Sequence, residues 1–338
     1  MVDALCREMV LRRDELSGDM ETLYFGGGTP SLLEWNELTK IFRTLQSNFD
    51  LSELKEVTLE ANPDDINPLN LECWRSLGIN RLSIGIQSFK KSDLEWMKRV
   101  HTAKEGLNCI SLAKEFGFNN ISADLIYGLP GLSLREWKNH IEMLLSLDIQ
   151  HVSAYCLTVE KGTSLQRQIE GGKIIPLGEN EQCEQYELLV DMLIQSGFEH
   201  YEISNFGKSG YHSIHNGNYW KGEHYLGIGP SAHSYNGLSR RWNISSNTVY
   251  MKMHGDEWFE TEEIGLKERW NEMILTGLRT SYGVDQSKLF EMFSPDQTFY
   301  DKIDFFKQEG WIIELEQRLI LSPEGRLKAD YLAAELFI

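Results

Sequence analysis

Between Thr22 and Leu157, short β-branched and apolar runs alternate with longer segments whose apolar residues recur every three or four positions. The short runs predict strands at Thr22–Phe25, Glu56–Glu60, Arg81–Ile86, Ile121–Tyr127 and His151–Leu157. The periodic segments predict helices over Leu33–Phe49, Leu69–Gly78, Ser92–Phe116 and Leu134–Leu147. Strand then helix at roughly 30-residue spacing is the mark of βαβ units and a parallel sheet. The strands read as nearly continuous apolar runs, as expected when helices cover both faces. Two helix starts carry capping-box signatures, Ser31 with Glu34 and Ser133 with Glu136. After about residue 160 the rhythm changes. Lys161–Gly178 reads as a loop-rich crossover, Glu179–Gly197 as a helix, and Phe198–Trp242 as an extended aromatic, glycine-rich wall. Leu266–Ile338 gives helix, helix, the hairpin WIIELEQRLILSPEG and a last helix, which is a winged-helix pattern. The organisation expected is therefore a barrel-type domain over 1–200, the aromatic wall over 201–260 and a C-terminal domain over 261–338.

Composition narrows the function. The 338 residues carry 51 acidic and 33 basic side chains, a formal net charge of −18. That balance repels phosphate backbones and anionic lipid, which ranks a winged-helix nucleic-acid binder last. The hairpin itself offers only Arg318 and Arg326 against Glu314, Glu316 and Glu324. No apolar run approaches the length of a membrane span, and the opening MVDALCREMVLRRDEL has helical spacing interrupted by charge, unlike a leader. A cytoplasmic protein without stable membrane insertion is the expectation. Cys6, Cys73, Cys109, Cys156 and Cys183 are scattered, with no C-x-x-C pair, so they predict neither a disulfide framework nor a metal knuckle.

Chemistry concentrates where the predicted strands end, which is where parallel α/β folds bind ligands. In order these ends read Gly26-Gly27-Gly28-Thr29-Pro30, Glu60-Ala61-Asn62-Pro63 and Gln87-Ser88-Phe89, with Asp124 inside the next strand ahead of Gly128-Leu129-Pro130-Gly131. Each has a plain alternative. The glycines also suit a tight turn, and their spacing matches neither G-x-G-x-x-G nor G-x-x-x-x-G-K-[ST]. Glu60 also suits a solvated loop, Gln87 a cap and Arg99 a helix surface. Asp124, flanked by apolar neighbours, demands a partner.

The stretches YFGGGTPSLL, LEANPDD, NRLSIGIQSF, ADLIYGLPG and EHYEISNFGK together resemble the radical S-adenosylmethionine (SAM) proteins of the coproporphyrinogen oxidase-like group. The resemblance implies a partial (β/α)6 barrel with SAM across the strand ends. It places Gly27, Gly28 and Thr29 at the methionine part, with Glu60, Gln87, Arg99 and Asp124 completing the site. The chemistry agrees: glycine amides and carboxylates suit the amine, Arg99 the carboxylate and Asp124 ribose hydroxyls. The family's C-x-x-x-C-x-x-C, whose thiolates hold a [4Fe–4S] cluster, does not occur in this sequence. On the resemblance it falls ahead of Met1 together with the first barrel strand, leaving Thr22–Phe25 at an edge. The chain as given is not expected to perform radical catalysis, and no cluster cysteines are assigned in it.

Within HNGNYW, His215 to Trp220, the pattern H-N-x-x-Y-W resembles the hallmark of the haem chaperone branch of that group. An imidazole beside Tyr219 and Trp220 suits haem, so His215 is the candidate axial ligand, with His212, His224 and His233 as nearby alternatives. The implied function is a haem-binding carrier that uses SAM and, in a full-length form, a cluster, and passes haem to an acceptor protein. A homodimer is compatible with it. The alternative is an oxygen-independent coproporphyrinogen III oxidase, which does not need His215.

Overall fold

In the computed structural model, residues 1–16, 18–252 and 259–338 are described. The elements in chain order begin with α1 (Val2–Leu11), β1 (Thr22–Phe25), α2 (Trp35–Asn48), β2 (Glu56–Ala61), α3 (Pro68–Ser76) and β3 (Arg81–Gln87). Next come α4 (Lys91–Trp96), α5 (Ala103–Glu115), β4 (Asn120–Tyr127), α6 (Leu134–Leu145) and β5 (His151–Cys156). They are followed by α7 (Ser164–Glu170), α8 (Glu179–Gln195), β6 (Glu199–Glu202), β7 (Asn205–Gly207) and α9 (Ile214–Lys221). The remainder is β8 (His233–Tyr235), β9 (Ser239–Asn243), α10 (Asn247–Lys252), β10 (Phe259–Glu263), α11 (Leu266–Leu278), β11 (Val284–Asp285), α12 (Gln286–Met292), α13 (Gln297–Gln308), β12 (Ile312–Leu315), β13 (Arg318–Leu321), α14 (Pro323–Arg326) and α15 (Ala329–Glu335). These elements form two compact units. One comprises Met1–Thr22, Glu34–Lys55 and Ile214–Ile338, and the other Leu23–Leu33 and Glu56–Ser213.

The second unit is built on a curled half-barrel sheet in the order β1-β2-β3-β4-β5-β7-β6. Strands β2 to β5 pair in parallel, while β7 runs antiparallel to both β5 and β6. The five strands expected from the sequence all form, within two residues of their expected ends. Their faces differ from the expectation. Leu59, Leu82, Ile84, Ile86, Ile121, Ala123, Leu125, Val152 and Ala154 form one wholly buried apolar face. The opposite face carries Glu56, Thr58 and Glu60 on β2, Arg81 and Ser83 on β3, Ser122 and Asp124 on β4, and His151 and Ser153 on β5. The strands are alternating rather than continuously apolar, and only one face is hydrophobic. Burying each Val, Leu or Ile of that face contributes about 1.5–3 kcal/mol.

Other departures have local causes. The segment expected as one helix over Ser92–Phe116 breaks between α4 and α5, where Lys98 adopts φ 57° and a capping box of Thr102 with Glu105 restarts the helix. Ser133 with Glu136 caps α6 as expected. Ser31 does not cap α2: it lies in a 3-10 turn and donates to Asp65 Oδ2 at 2.6 Å, while the Glu34 N–H donates to Glu37 at 3.0 Å. The crossover Lys161–Gly178 contains α7.

In the first unit, HNGNYW is helical in α9 rather than part of an extended wall. Contact with α11 outweighs the weak helix propensity of its two asparagines and Gly217. The C-terminal segment forms the small sheet β11-β13-β12 beside α11, α12 and α13, the winged-helix pattern anticipated. The N-terminal helix is anchored by charge. Glu8 (0% exposed) accepts from Arg12 at 2.8 Å, the Gly229 N–H at 2.9 Å, Asn243 at 2.7 Å and Tyr250 at 2.5 Å. Arg12 (2% exposed) also donates to Gly227 O and Ser234 Oγ, each at 2.8 Å. A buried ion pair with all its hydrogen bonds made is costly to break from one side. Glu8→Ala is therefore expected to destabilise the protein by about 3–5 kcal/mol, with Glu8→Ala/Arg12→Met recovering a large part; chemical denaturation of both variants measures this.

Candidate functional site

The seven residues assigned to SAM by motif all lie in the half-barrel unit, and the strand register explains how Glu60, Gln87 and Asp124 share one face. Glu60 on β2 is level with Ser83 on β3, Ser83 with Ser122 on β4, and Asp124 with Ser153 on β5. The three glycines each answer a different need. A Cβ on Gly26 would sit 2.5 Å from Tyr24 Cε1 and 2.7 Å from Glu60 Oε1, so only glycine lets the chain pass the Tyr24–Glu60 pair. That pair is a 2.7 Å hydrogen bond donated by the Tyr24 hydroxyl. Gly27 has φ 77°, a conformation that side chains disfavour. No heavy atom lies within 4 Å of the Cβ positions of Gly27 and Gly28, so their backbone is open to close approach by a ligand. Thr29 follows, leading into the 3-10 turn.

Gln87 terminates β3 with φ 64° inside a three-residue turn in which the Ser88 N–H donates to Ile86 O at 2.8 Å. Such a residue costs about 1–3 kcal/mol unless its surroundings fix it. His101 helps to fix it, with Nε2 3.2 Å from the same Ile86 carbonyl oxygen. The Gln87 amide folds back over Gly85, where an added Cβ would meet Nε2 at 2.7 Å. Arg99 sits in the loop after Lys98, not on a helix surface, and donates to Asn62 Oδ1 at 3.0 Å. Asn62 in turn lies two residues beyond Glu60, and its N–H reaches Ser31 Oγ at 3.3 Å. The loops after β1, β2 and β3 are thus joined through side chains.

Asp124 is half-buried and is not left without partners. Ser83 Oγ donates to its two oxygens at 3.1 and 3.0 Å, and Ser122 Oγ to Oδ1 at 3.2 Å. Burial still pushes its carboxyl up to about 6, with Glu60 adding to the rise and the serines opposing it. Glu60 and Asp124 therefore form a negative centre beside open glycine backbone. It suits a ligand that brings an ammonium group and hydroxyl donors, as the methionine and ribose parts of SAM do. The five cysteines are dispersed as Cys6, Cys73 and Cys109 buried, Cys156 half-buried and Cys183 exposed. Among the described residues no cluster of His, Cys, Asp and Glu could hold a metal ion, and the thiols do not fit a [4Fe–4S] cluster.

The polar row below Asp124 escaped the sequence reading. Ser122, Ser153, His151, Tyr201 and Asn205 are buried and mutually bonded. Their signal was the strict alternation within RLSIGIQ, NISADLIY and HVSAYC.

His215 lies in the other unit, on α9. Its Nδ1 is 3.0 Å from Thr22 Oγ1, and its ring meets Tyr219 edge-on at 5.1 Å. Tyr219 packs on Tyr225 at 4.5 Å and Tyr225 on Tyr235 at 6.1 Å, with Arg240 over Tyr235. Of the alternative histidines, His212 stacks on Tyr201 at 4.2 Å and pairs with Glu199, His224 meets Tyr235 edge-on, and the exposed His233 stacks on Trp242.

The raised Asp124 carboxyl has a consequence for stability. Its folded value lies above the ordinary 3.8, so the folded chain binds its proton more tightly and stability falls as pH rises from about 4 to about 6. Asp124→Asn is expected to stabilise the protein by about 1–3 kcal/mol near pH 7.5 and by much less near pH 4; urea denaturation at both pH values measures the difference.

Comparison with known proteins bears on the whole chain. Residues 4–144 match the Radical SAM superfamily and residues 264–327 the HemN C-terminal domain. The heme chaperone HemW of Bacillus subtilis (strain 168) is 35% identical over 318 residues, which are 91% of this chain and 83% of that protein. The mitochondrial radical S-adenosyl methionine domain-containing protein 1 of Danio rerio is 32% identical over 331 residues, 94% of this chain and 73% of that protein. The solved coproporphyrinogen III oxidase (HemN) from Escherichia coli superposes with a TM-score of 0.84 at 20% identity, over 99% of this chain and 82% of that one, and shares the fold. The chain belongs to the HemW family of the radical SAM superfamily.

Proposed function

We propose that this protein is a haem-binding chaperone that also binds SAM and delivers haem to an acceptor protein. The observation that carries the reading is the aromatic ladder of the first unit, His215, Tyr219, Tyr225 and Tyr235, headed by an imidazole oriented through Thr22. An axial imidazole needs its second nitrogen held, and a porphyrin needs aromatic and apolar surface, so the ladder suits both requirements. His215 is the proposed axial ligand. The HemW relatives are named heme chaperones, which supports carrying over the function.

The second ligand in this reading is SAM. Gly27, Gly28 and Thr29 receive its methionine part on open backbone, Glu60 and Gln87 hold its amine side, Arg99 its carboxylate and Asp124 its ribose. SAM, when bound, supplies a sulfonium-linked adenosyl group for radical chemistry. No radical step is assigned to this chain's residues, because its thiols do not fit the cluster on which that chemistry depends. Nucleic acid is not among the proposed partners. Among the described residues no helix is long and apolar enough to cross a membrane.

Haem titration of the purified protein is expected to give a Soret band that His215→Ala removes; an unchanged band overturns the ligand assignment. A chaperone is also expected not to turn over coproporphyrinogen III, and steady decarboxylation of its propionates would favour the oxidase instead. In calorimetry with SAM on the purified protein, Asp124→Ala and Arg99→Ala are each expected to weaken binding by about tenfold or more, equivalent to roughly 1.4 kcal/mol. Unaltered affinity in both variants would remove the assigned SAM site.

A further inference from the structure

A line of hydrogen bonds descends from Asp124 into the buried floor of the half-barrel. Ser122 Oγ lies 3.2 Å from Asp124 Oδ1 and 2.8 Å from His151 Nδ1. His151 Nε2 lies 2.7 Å from the Tyr201 hydroxyl, which accepts the Ser213 N–H at 3.4 Å. Every member between Asp124 and Ser213 is buried. The direction of the hydrogens follows from chemistry. Burial, with Arg81 and His212 adding to it, pushes His151 well below its ordinary value, so the ring is neutral and carries one N–H. The Tyr201 oxygen accepts from Ser213, and in the proposed series its hydroxyl donates to His151 Nε2. The proton of His151 is then on Nδ1 and points to Ser122 Oγ. The Ser122 hydrogen is left to point at the carboxylate, the strongest acceptor within its reach. Ser153, 3.1 Å from Ser122, sends its own hydrogen to Asn205 Oδ1 at 2.7 Å, and the Asn205 amide donates to Glu202.

We propose that Ser122 and His151 are positioning residues for Asp124: the series Tyr201–His151–Ser122 delivers an oriented hydrogen to Oδ1 that keeps the carboxylate ionised and aimed at the nucleoside hydroxyls. This deepens the SAM reading above and rests on it for the identity of the ligand. It does not rest on it for the behaviour of the carboxyl itself. The series matters because everything else facing Asp124 opposes ionisation or is neutral. Glu60 on β2 is a like charge, Tyr24 on β1 and Tyr155 on β5 are neutral phenols, and Glu202 on β6 is a second carboxylate behind Asn205. Arg81 on β3 is engaged lower down, 4.0 Å from Glu56 and 2.5 Å from Asn120. The hydroxyls of Ser83, Ser122 and Ser153 offset burial at the carboxylate, and of these Ser122 is the one that a buried imidazole, His151, also holds.

The test is a titration of the Asp124 carboxyl by NMR on intact protein labelled with carboxyl-13C aspartate, the resonance identified by its loss in Asp124→Asn. The wild-type midpoint is expected at about 6. In Ser122→Ala it is expected to rise by about one pH unit, a tenfold change in proton affinity. His151→Phe should move it the same way by less, and Ser122→Thr, which keeps the hydroxyl, should leave it near the wild-type value. A purely structural role for Ser122 would not separate Ala from Thr in this readout. Circular dichroism establishes that each variant is folded, and the Ala/Thr pair at position 122 decides the matter if His151→Phe does not fold. An unchanged midpoint in folded Ser122→Ala, or equal shifts in Ala and Thr, overturns the proposal. Calorimetry with S-adenosylhomocysteine across the same pH range then separates the two readings. Affinity is expected to fall below about pH 6 in the wild type and below about pH 7 in Ser122→Ala. Midpoints that shift as expected while the wild type binds no S-adenosylhomocysteine would sustain the hydrogen-bond series and remove the nucleoside site. Binding with an immobile midpoint would do the reverse.

Discussion

One constraint governs the half-barrel: the inner face of a parallel sheet is buried, yet in this chain it is polar. The period of two along β2, β3, β4 and β5 sends apolar side chains outward to the helices and sets Glu56, Arg81, Ser83, Ser122, Asp124, His151 and Ser153 on the inner face. An unpaired polar group there costs as much as a lost hydrogen bond or more, so each inner side chain must be matched by another from the neighbouring strand. Strand register supplies the match, parallel from β3 to β5 and antiparallel between β5 and β7. Ser83 opposite Ser122, Ser122 opposite His151 and Ser153 opposite Asn205 are adjacent because the strands are in step. Slipping one strand by a single residue would put Leu82 or Ala123 inside and leave the others without partners. The polar row therefore fixes the register, and the register sets the face on which the strand-end residues stand.

Above that floor, order gives way to deliberate irregularity. The sheet ends where β3 bulges against β4 and Gln87 adopts a left-handed conformation. The strained turn is held from beneath by His101 and the Ser88–Asp93 hydrogen bond at 2.9 Å. The loops after β1, β2 and β3 are stitched by Ser31, Asn62, Asp65 and Arg99. Strain at Gln87 and open backbone at Gly27 and Gly28 are thus held in place by surrounding hydrogen bonds, the condition under which unfavourable conformations persist at binding sites.

Much of this was legible in the chain, and the failures share a cause. Strands and most helices follow from local patterns that survive folding, and Asp124 announced itself because a carboxylate between alanine and leucine neighbours must be satisfied. The three glycines could be marked as special, but not told apart, since close approach at Gly26 depends on Tyr24 and Glu60 meeting there. The break between α4 and α5 was hidden because Met97, Val100 and Leu107 preserve an apolar rhythm through a loop. The helicity of His215 was hidden for the opposite reason: its own residues argue against a helix, and contact with α11 decides the matter. The buried row from Ser122 to Tyr201 was missed because serine and alanine alternate so mildly that β4 and β5 pass for apolar runs.

The first unit solves the same problem with charge instead of hydroxyls. Its N-terminal helix carries Glu8 and Arg12 one turn apart, buried, and each reaches backbone of the Gly227–Gly229 segment. That segment needs its glycines: a Cβ at Gly227 would meet His233 O at 2.0 Å, and Gly229 has φ 119°. Its neighbours Tyr225 and Tyr235 exchange backbone hydrogen bonds of 2.9 Å in both directions, so the loop clamped by the ion pair is also the loop that presents two rungs of the aromatic ladder. A hydrophobic replacement of the ion pair could match it in stability. It could not reproduce four directed hydrogen bonds to Gly227, Gly229, Ser234 and Asn243. The buried charge is therefore better understood as fixing the geometry of the ring-bearing loop than as a source of net stability.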